Sequence, residues 1–243
     1  MTAIEQITTS KGRQYKISEE GEKPLYLPSV TTILATVINK PALVHWARNT
    51  ALQSVRDVLL DNRPVMALDS ESIDALIAEA NAKPDQVRDE ASGYGTAAHQ
   101  LIDAILLGEE PTIPPTYTTT IESFSAWEVE ANLSIEKTER MVYSRTYGYA
   151  GTLDAIGFNA DRGLAVLDWK TSNGLYPESA LQVAAYAIAY EEMTGEAITD
   201  AWVVRFGKSQ PEFEAKHVDL DACKPTWLAA LQLSRGLKTV WIP

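Results

Sequence analysis

Apolar residues along the chain follow two periods, and the change falls near residue 130. The helical spacing of three and four positions covers 43–60, 70–82, 84–107 and 118–132. Beyond residue 131, alternating and short apolar runs predict strands at 136–145, 152–158, 164–170, 200–206 and 213–218, with helices at 177–194 and 221–237. The pattern predicts a mainly helical part over 1–130 and a sheet-containing part over 131–243.

Proline, serine and glycine mark several predicted boundaries. A turn at Pro28–Ser29 precedes a short helix that Ser29 or Thr31 would cap. Pro84 suits the first turn of a third helix, with a break at Gly93–Gly95. No linker divides the chain, so we predict one α/β domain over residues 1–243. It would have a mixed central sheet flanked by helices, and its N-terminal helices would partly cover the active-site cleft.

Composition narrows the class of protein. The single cysteine, Cys223, excludes a disulfide scaffold and a four-cysteine zinc or iron–sulfur site. No stretch of about 18 apolar residues is present, and residues 1–10 lack the apolar run of a signal peptide. We therefore expect a cytoplasmic protein with no membrane partner.

The net charge of −12 is unevenly distributed. Residues 61–130 carry 14 acidic and 3 basic groups, whereas residues 1–60 carry 5 acidic and 7 basic groups. Affinity for phosphate needs Lys and Arg, so this balance argues against sequence-independent coating of nucleic acid. A local basic groove remains compatible with it.

The strands at 152–158 and 164–170 bring two carboxylates together. If their hairpin turn centres on residue 161, cross-strand partners have numbers that sum to 322, which pairs Asp154 with Asp168. Lys170 lies on the same face as Asp168, since strand side chains alternate. Two facing carboxylates repel each other, and a divalent cation with oxygen ligands, including the carbonyl of Trp169, would relieve that repulsion.

A surface hairpin with an Asp–Lys ion pair is the ordinary alternative, because such pairs are common and weak. The neighbouring residues Val166, Leu167 and Trp169 argue for a buried strand. Burying a carboxylate and an ammonium group at the end of a strand costs free energy, which favours a functional role for them. Lys170 beside a metal would orient a water molecule or stabilise negative charge on a phosphate.

Asp154 followed by Asp168–Lys170 resembles the PD-(D/E)XK nuclease superfamily, in particular its RecB-like branch. That branch includes phage exonucleases and the mitochondrial genome maintenance exonuclease. It carries a histidine on an upstream helix, matched by Gly95–His99, and a glutamine–tyrosine pair after the lysine strand, matched by Gln182 and Tyr186. The segment 28–34 with Lys40, Leu43 and Trp46 is similar to the opening of the same branch, so the resemblance covers about 28–190.

The resemblance implies a restriction-endonuclease-like core that hydrolyses DNA with Mg²⁺ or Mn²⁺. Asp154 and Asp168 would be metal ligands, together with the backbone carbonyl of Trp169. Lys170 would be the catalytic lysine. His99 would be a further ligand or would orient one.

Five other residues receive supporting roles or remain open. Gln182 and Tyr186 share one helical face and would support the site or the substrate, or simply pack there. Thr171 and Ser172 would hydrogen-bond the DNA backbone. Glu139 is either an additional acidic group of the site or an exposed strand glutamate.

The resemblance implies a DNA exonuclease that acts from ends. The alternatives are a structure-specific or single-strand endonuclease, a relative that binds nucleic acid without catalysis, and a glycosidase that uses two carboxylates. DNA is the expected partner, with a recombination or single-strand-binding protein as a further candidate. No nucleoside triphosphate is expected, because the P-loop-like Gly207–Ser209 lacks its upstream glycine, a position that Trp202 occupies.

Overall fold

The computed structural model describes residues 2–10, 12–61 and 69–240, and the chain forms two compact units. The larger unit comprises Met1–Ile38 and Ala97–Pro243, and the smaller comprises Asn39–Thr96. All the predicted site residues from His99 onward belong to the larger unit.

A five-stranded mixed sheet is the centre of the larger unit. Its strands, in spatial and chain order, are β4 (Ser134–Ser144), β5 (Tyr149–Asn159), β6 (Gly163–Lys170), β7 (Ile198–Phe206) and β8 (Phe213–His217). Only β6 and β7 run parallel, because helix α5 (Pro177–Thr194) connects them as a crossover. This confirms the predicted α/β fold with a mixed sheet flanked by helices.

Helices pack on both faces of this sheet. One face is covered by α5, by α1 (Val30–Val37) and by α6 (Leu220–Gly236), with Tyr149, Val166 and Trp227 in the shared core. The other face is covered by α4 (Thr118–Ala131), which follows a 3-10 turn at Pro115–Tyr117 and buries Phe124 against Trp169. The strand that bears Asp168 and Lys170 is therefore buried on both sides, as its apolar residues predict.

A second sheet of three antiparallel strands corrects the mainly helical prediction for residues 1–130. Its strands are β1 (Thr2–Thr9), β2 (Gly12–Glu19) and β3 (Leu25–Pro28). Tyr15 and Ile17 alternate with polar residues and are buried together with Leu27, which is the period of a strand with one buried face. After β3, Ser29, one of the two predicted caps, caps α1 by accepting a hydrogen bond from the Thr32 amide.

The smaller unit consists of helices. Helix α2 (Pro41–Asp61) agrees with the predicted 43–60 segment, but none of its residues is fully buried within the described part of the chain. Helix α3 (Ser70–Leu106) begins in this unit and continues into the larger one. It corrects the prediction of two helices with a break, because Pro84 and Gly93–Gly95 lie inside one continuous helix. A proline removes one main-chain hydrogen bond and glycine costs about 1 kcal/mol, which a 37-residue helix tolerates.

Among the described residues, no helix is long and apolar enough to cross a membrane.

Candidate metal-dependent active site

The β5–β6 hairpin has the register that the sequence predicts. Asn159 pairs with Gly163, and Ala155 pairs with Leu167, each with residue numbers that sum to 322. Asp154 and Asp168 lie one position beyond the last pair, so they face each other where the two strands separate. The loop at 159–163 sets this register, since Asn159 Oδ1 accepts hydrogen bonds from the amides of residues 161 and 162.

Asp154 is held by one contact on each carboxylate oxygen. The backbone amide of Trp169 donates to Oδ2 at 2.6 Å, which links β6 to the carboxylate of β5. His99 Nδ1 lies 3.3 Å from Oδ1. The histidine is positioned by α3, whose neighbouring residues Ala98 and Ile102 are fully buried. The structure therefore brings the predicted histidine and the first predicted aspartate into contact.

Asp168, Lys170 and Gln182 form a second connected group. Lys170 Nζ lies 2.5 Å from Asp168 Oδ2, although this buried oxygen accepts no hydrogen bond of good geometry. Gln182 Nε2 donates to Asp168 Oδ1 at 3.1 Å, and Gln182 Oε1 accepts from Lys170 Nζ at 3.4 Å. The amide thus contacts both members of the ion pair and fixes their orientation.

Tyr186 completes the face of α5 that is turned toward the site. Gln182 Nε2 lies 2.9 Å from the Tyr186 hydroxyl oxygen, one helical turn away. The Tyr186 ring packs directly on Gly151 of β5, where a Cβ atom would lie 2.3 Å from ring atom Cε1. Gly151 is therefore required for the close approach of helix and strand, and Tyr186 is a packed residue as well as a neighbour of the site.

The two central carboxylates differ in their affinity for protons. Burial alone would raise the pKa of Asp154, but His99, Lys170 and the Trp169 amide outweigh it and hold that pKa below its usual value. Burial raises the pKa of Asp168 to about 6, opposed by Lys170 and increased by the charge of Asp154. The negative charge of Asp154 is thus, on balance, stabilised by its neighbours, whereas that of Asp168 is not.

Burial acts on the two basic groups in the opposite direction, but their net pKa shifts are upward. Burial lowers the pKa of Lys170, but Asp168 and Asp154 outweigh it and raise the value, so this lysine is an ammonium group at neutral pH. Burial also lowers the pKa of His99, and the charge of Asp154 again outweighs it. Both shifts reflect an excess of negative charge at the site.

Glu139 joins this group, and the sequence left its position open. Single ligand atoms of His99, Glu139 and Asp154 all lie within 4.8 Å of one another. Glu139 is an exposed residue, but desolvation of its carboxylate raises its pKa to about 7, and the charge of Asp154 adds to the effect. One imidazole and two carboxylates are suitable donors for Mg²⁺ or Mn²⁺, so the residues present fit such a cation.

The remaining predicted residues lie next to these groups. Thr171 is buried directly after Lys170, and Ser172 donates to the carbonyl of Gly174 at 2.8 Å. The side chain of Trp169 packs in the opposite core, with its ring centroid 4.8 Å from that of Trp127. Contacts of Thr171 and Ser172 with DNA remain a prediction, as does a ligand role for the Trp169 carbonyl.

Two solved structures resemble part of the chain. A protein provisionally named as an exonuclease, from Eubacterium rectale, is 12% identical and aligns with a TM-score of 0.42 over 61% of this chain and 69% of its own. The structure of SSO0001 is 14% identical, with a TM-score of 0.31 over 49% of this chain and 56% of its own. No family model and no curated protein matches the sequence. Similarity this low assigns no activity, and the function must rest on the site itself.

Proposed function

We propose that this protein is a divalent-metal-dependent deoxyribonuclease that hydrolyses phosphodiester bonds, starting from DNA ends. The observation that carries the proposal is the convergence of Asp154, Asp168 and Lys170 at the open end of one hairpin. His99 joins them from α3 and Gln182 from α5. Three proposed carboxylate or imidazole ligands beside a partly buried ammonium group are components suited to phosphoryl hydrolysis.

The cation fits this set because the site has more negative than positive charge. His99, Asp154 and Asp168 would hold Mg²⁺ or Mn²⁺. When bound, the cation would withdraw charge from the scissile phosphate and make water a better nucleophile. The proposed place of action is the cytoplasm of a bacterium or of a phage-infected host, where DNA is accessible.

Lys170 supplies the fixed positive charge of the reaction. Its ammonium group is held by the ion pair with Asp168 Oδ2 at 2.5 Å and by a hydrogen bond to Gln182 Oε1 at 3.4 Å, and a lysine with three N–H donors can serve a further acceptor. A further N–H of Lys170 would orient the attacking water or donate to a phosphate oxygen as negative charge develops on it. Gln182 keeps the ammonium group in place, since it contacts the lysine and its partner carboxylate simultaneously.

Action from an end is supported by charge. The net charge of −12 opposes tight binding along a duplex, whereas a confined site that receives one strand end needs only local positive charge. The experiment is a time course with Mg²⁺ on a closed circular plasmid and on its linearised form, each with and without excess EDTA.

We expect small nucleotides from the linear form, none from the closed circle, and no cleavage in EDTA. If the closed circle is nicked as fast as the linear form is digested, the protein is an endonuclease and not an exonuclease. Full cleavage in EDTA would overturn the metal-dependent mechanism. If the protein binds DNA but cleaves it with none of the divalent metals tested, it is a nucleic-acid-binding protein without catalysis.

A further inference from the structure

Glu139 interrupts the regular pairing of β4 with β5. The pairs Thr138–Ala155 and Arg140–Leu153 lie on either side, so Glu139 stands opposite Asp154. Its φ of 44° is in the left-handed region, which is rare for a residue other than glycine within a strand. This departure, which is separate from the bulge between Ile135 and Lys137, occurs at the position of β4 that faces a predicted metal ligand.

The carboxylate of Glu139 shares a small space with two groups from other elements. His99 comes from α3 and Asp154 from β5, and one ligand atom of each of the three residues lies within 4.8 Å of the other two. In octahedral coordination at metal–ligand distances of about 2.1 Å, ligand atoms are about 3 Å apart when adjacent and about 4 Å apart when opposite. A shift of about 1 Å would bring these three atoms to coordination distance of one ion.

The groups around Glu139 carry more negative than positive charge. Asp103 lies one helical turn after His99, and its Oδ1 is buried without a hydrogen-bond partner in the described part of the chain. The charges of Asp103 and Asp154 both act on Glu139, and His99 is the basic group that opposes them. Lys170, the other nearby cation, is 2.5 Å from Asp168. A buried carboxylate oxygen without a partner, whose charge also acts on Glu139, is a group that a nearby divalent cation would stabilise.

We propose that Glu139 is a protein ligand of the divalent cation, which it binds together with His99 and Asp154. Asp103 contributes negative charge beside this position without being required as a ligand. The biological use of this cation rests on the proposed nuclease function, but its binding can be measured without DNA. The site would thus have a carboxylate from the first strand of the central sheet in addition to those of the hairpin.

The test is a titration with Mn²⁺ alone, followed by electron paramagnetic resonance and by calorimetry. Glu139→Gln removes the charge with little change of volume, and we expect it to weaken Mn²⁺ binding about 10- to 100-fold. Glu139→Asp keeps the charge on a shorter side chain and should give an intermediate affinity. Glu136→Gln is the matched control on the same strand, and it should bind Mn²⁺ like the unaltered protein. Circular dichroism and melting curves establish that each variant is folded.

A second readout separates ligation from general charge. Pulsed paramagnetic resonance on bound Mn²⁺ should show a nitrogen coupling that His99→Ala abolishes and Glu136→Gln retains. Mn²⁺ affinity of folded Glu139→Gln within about twofold of the unaltered protein would overturn the proposal, as would failure of the unaltered protein to bind Mn²⁺. If Mn²⁺ binds as expected but no DNA is cleaved, the nuclease function fails and the ligand assignment stands. If DNA is cleaved and Glu139→Gln binds Mn²⁺ normally, only the ligand assignment fails.

Discussion

Two buried aspartates of the central sheet have the same exposure and opposite surroundings. Asp168 on β6 is 1% exposed and Asp200 on β7 is 2% exposed. Asp200 accepts hydrogen bonds from the Ala201 amide at 3.1 Å and from Trp202 Nε1 at 3.0 Å, and His217 Nε2 lies 2.5 Å from its Oδ1. Both oxygens of Asp200 therefore have neutral or cationic hydrogen-bond partners.

Asp168 is accommodated less completely. One of its oxygens accepts from Gln182 Nε2, while the other touches Lys170 without good hydrogen-bond geometry. A second carboxylate, Asp154, adds its charge to the same small volume. Burial of a carboxylate thus does not by itself identify a functional site. An excess of negative charge after all partners are counted distinguishes Asp168 from Asp200.

The largest expected difference between the two aspartates is in catalysis. Asp168→Asn should lower DNA cleavage about 10²- to 10³-fold with the fold intact, because it removes a proposed metal ligand and the anchor of Lys170. Asp200→Asn should leave cleavage per folded molecule unchanged and lower the free energy of unfolding by about 1–3 kcal/mol, since it weakens a satisfied network. Initial rates on labelled linear DNA and urea unfolding curves measure both. Equal loss of cleavage in the two folded variants would contradict the distinction.

The next largest effect concerns the ammonium group that distinguishes the two surroundings. Lys170→Ala should reduce cleavage about 10²-fold while Mn²⁺ binding is largely retained, since an ammonium group is not a ligand. Lys216→Ala is the control, because Lys216 is an exposed lysine of β8 paired with Glu214. Near-normal cleavage by Lys170→Ala would show that the lysine acts only as a structural partner of Asp168.

The hairpin that carries Asp168 could be predicted from the sequence in detail. A short polar loop between two apolar strands fixes the register, and a one-residue slip would turn every side chain to the other face. The facing positions of Asp154 and Asp168, with Lys170 on the same side as Asp168, therefore follow from the residue numbers in the hairpin. The partner of Asp200 could not be found this way, because His217 reaches it from β8, and the longer connection at 207–212 does not fix the register of β8 on β7.

Elsewhere, tertiary context outweighed local patterns. The alternation of Tyr15 and Ile17 in β2 was visible in the sequence, but the polar residues of β1 concealed the sheet to which they belong. Pro84 suggested a helix start and lies inside α3. Glu139 could not be assigned, because its approach to His99 depends on a left-handed backbone conformation within a strand.

A smaller effect is expected on thermal stability in the presence of a cation. The proposed site exists only in the folded protein, so Mn²⁺ at 100 times its dissociation constant should add about 2.7 kcal/mol and raise the Tm by several degrees. Asp168→Asn and Asp154→Asn should lose most of this shift, while Asp200→Asn should keep it from a lower starting Tm. A Mn²⁺-induced rise in Tm that persists in Asp154→Asn would place the cation elsewhere.

The smallest effect is the pH dependence of the metal-free protein. The folded-state pKa values of Asp168, about 6, and Glu139, about 7, lie above their usual values, and that of His99 is also raised. Between about pH 4 and 7 the folded protein therefore binds more protons than the unfolded chain, so these groups make its stability fall as the pH rises. In EDTA, the Tm should decrease from pH 6 to pH 8. Asp168→Asn should flatten the slope, whereas Asp200→Asn should keep it.

Saturating Mn²⁺ should oppose this trend, because protons compete with the ion for the same carboxylates. The rise in Tm on adding Mn²⁺ should accordingly be greater at pH 8 than at pH 6. A metal-free Tm that is independent of pH in this range would mean that the negative charges near Asp168 are better compensated than the contacts of Lys170 and His99 indicate. Asp168 would then be accommodated as completely as Asp200.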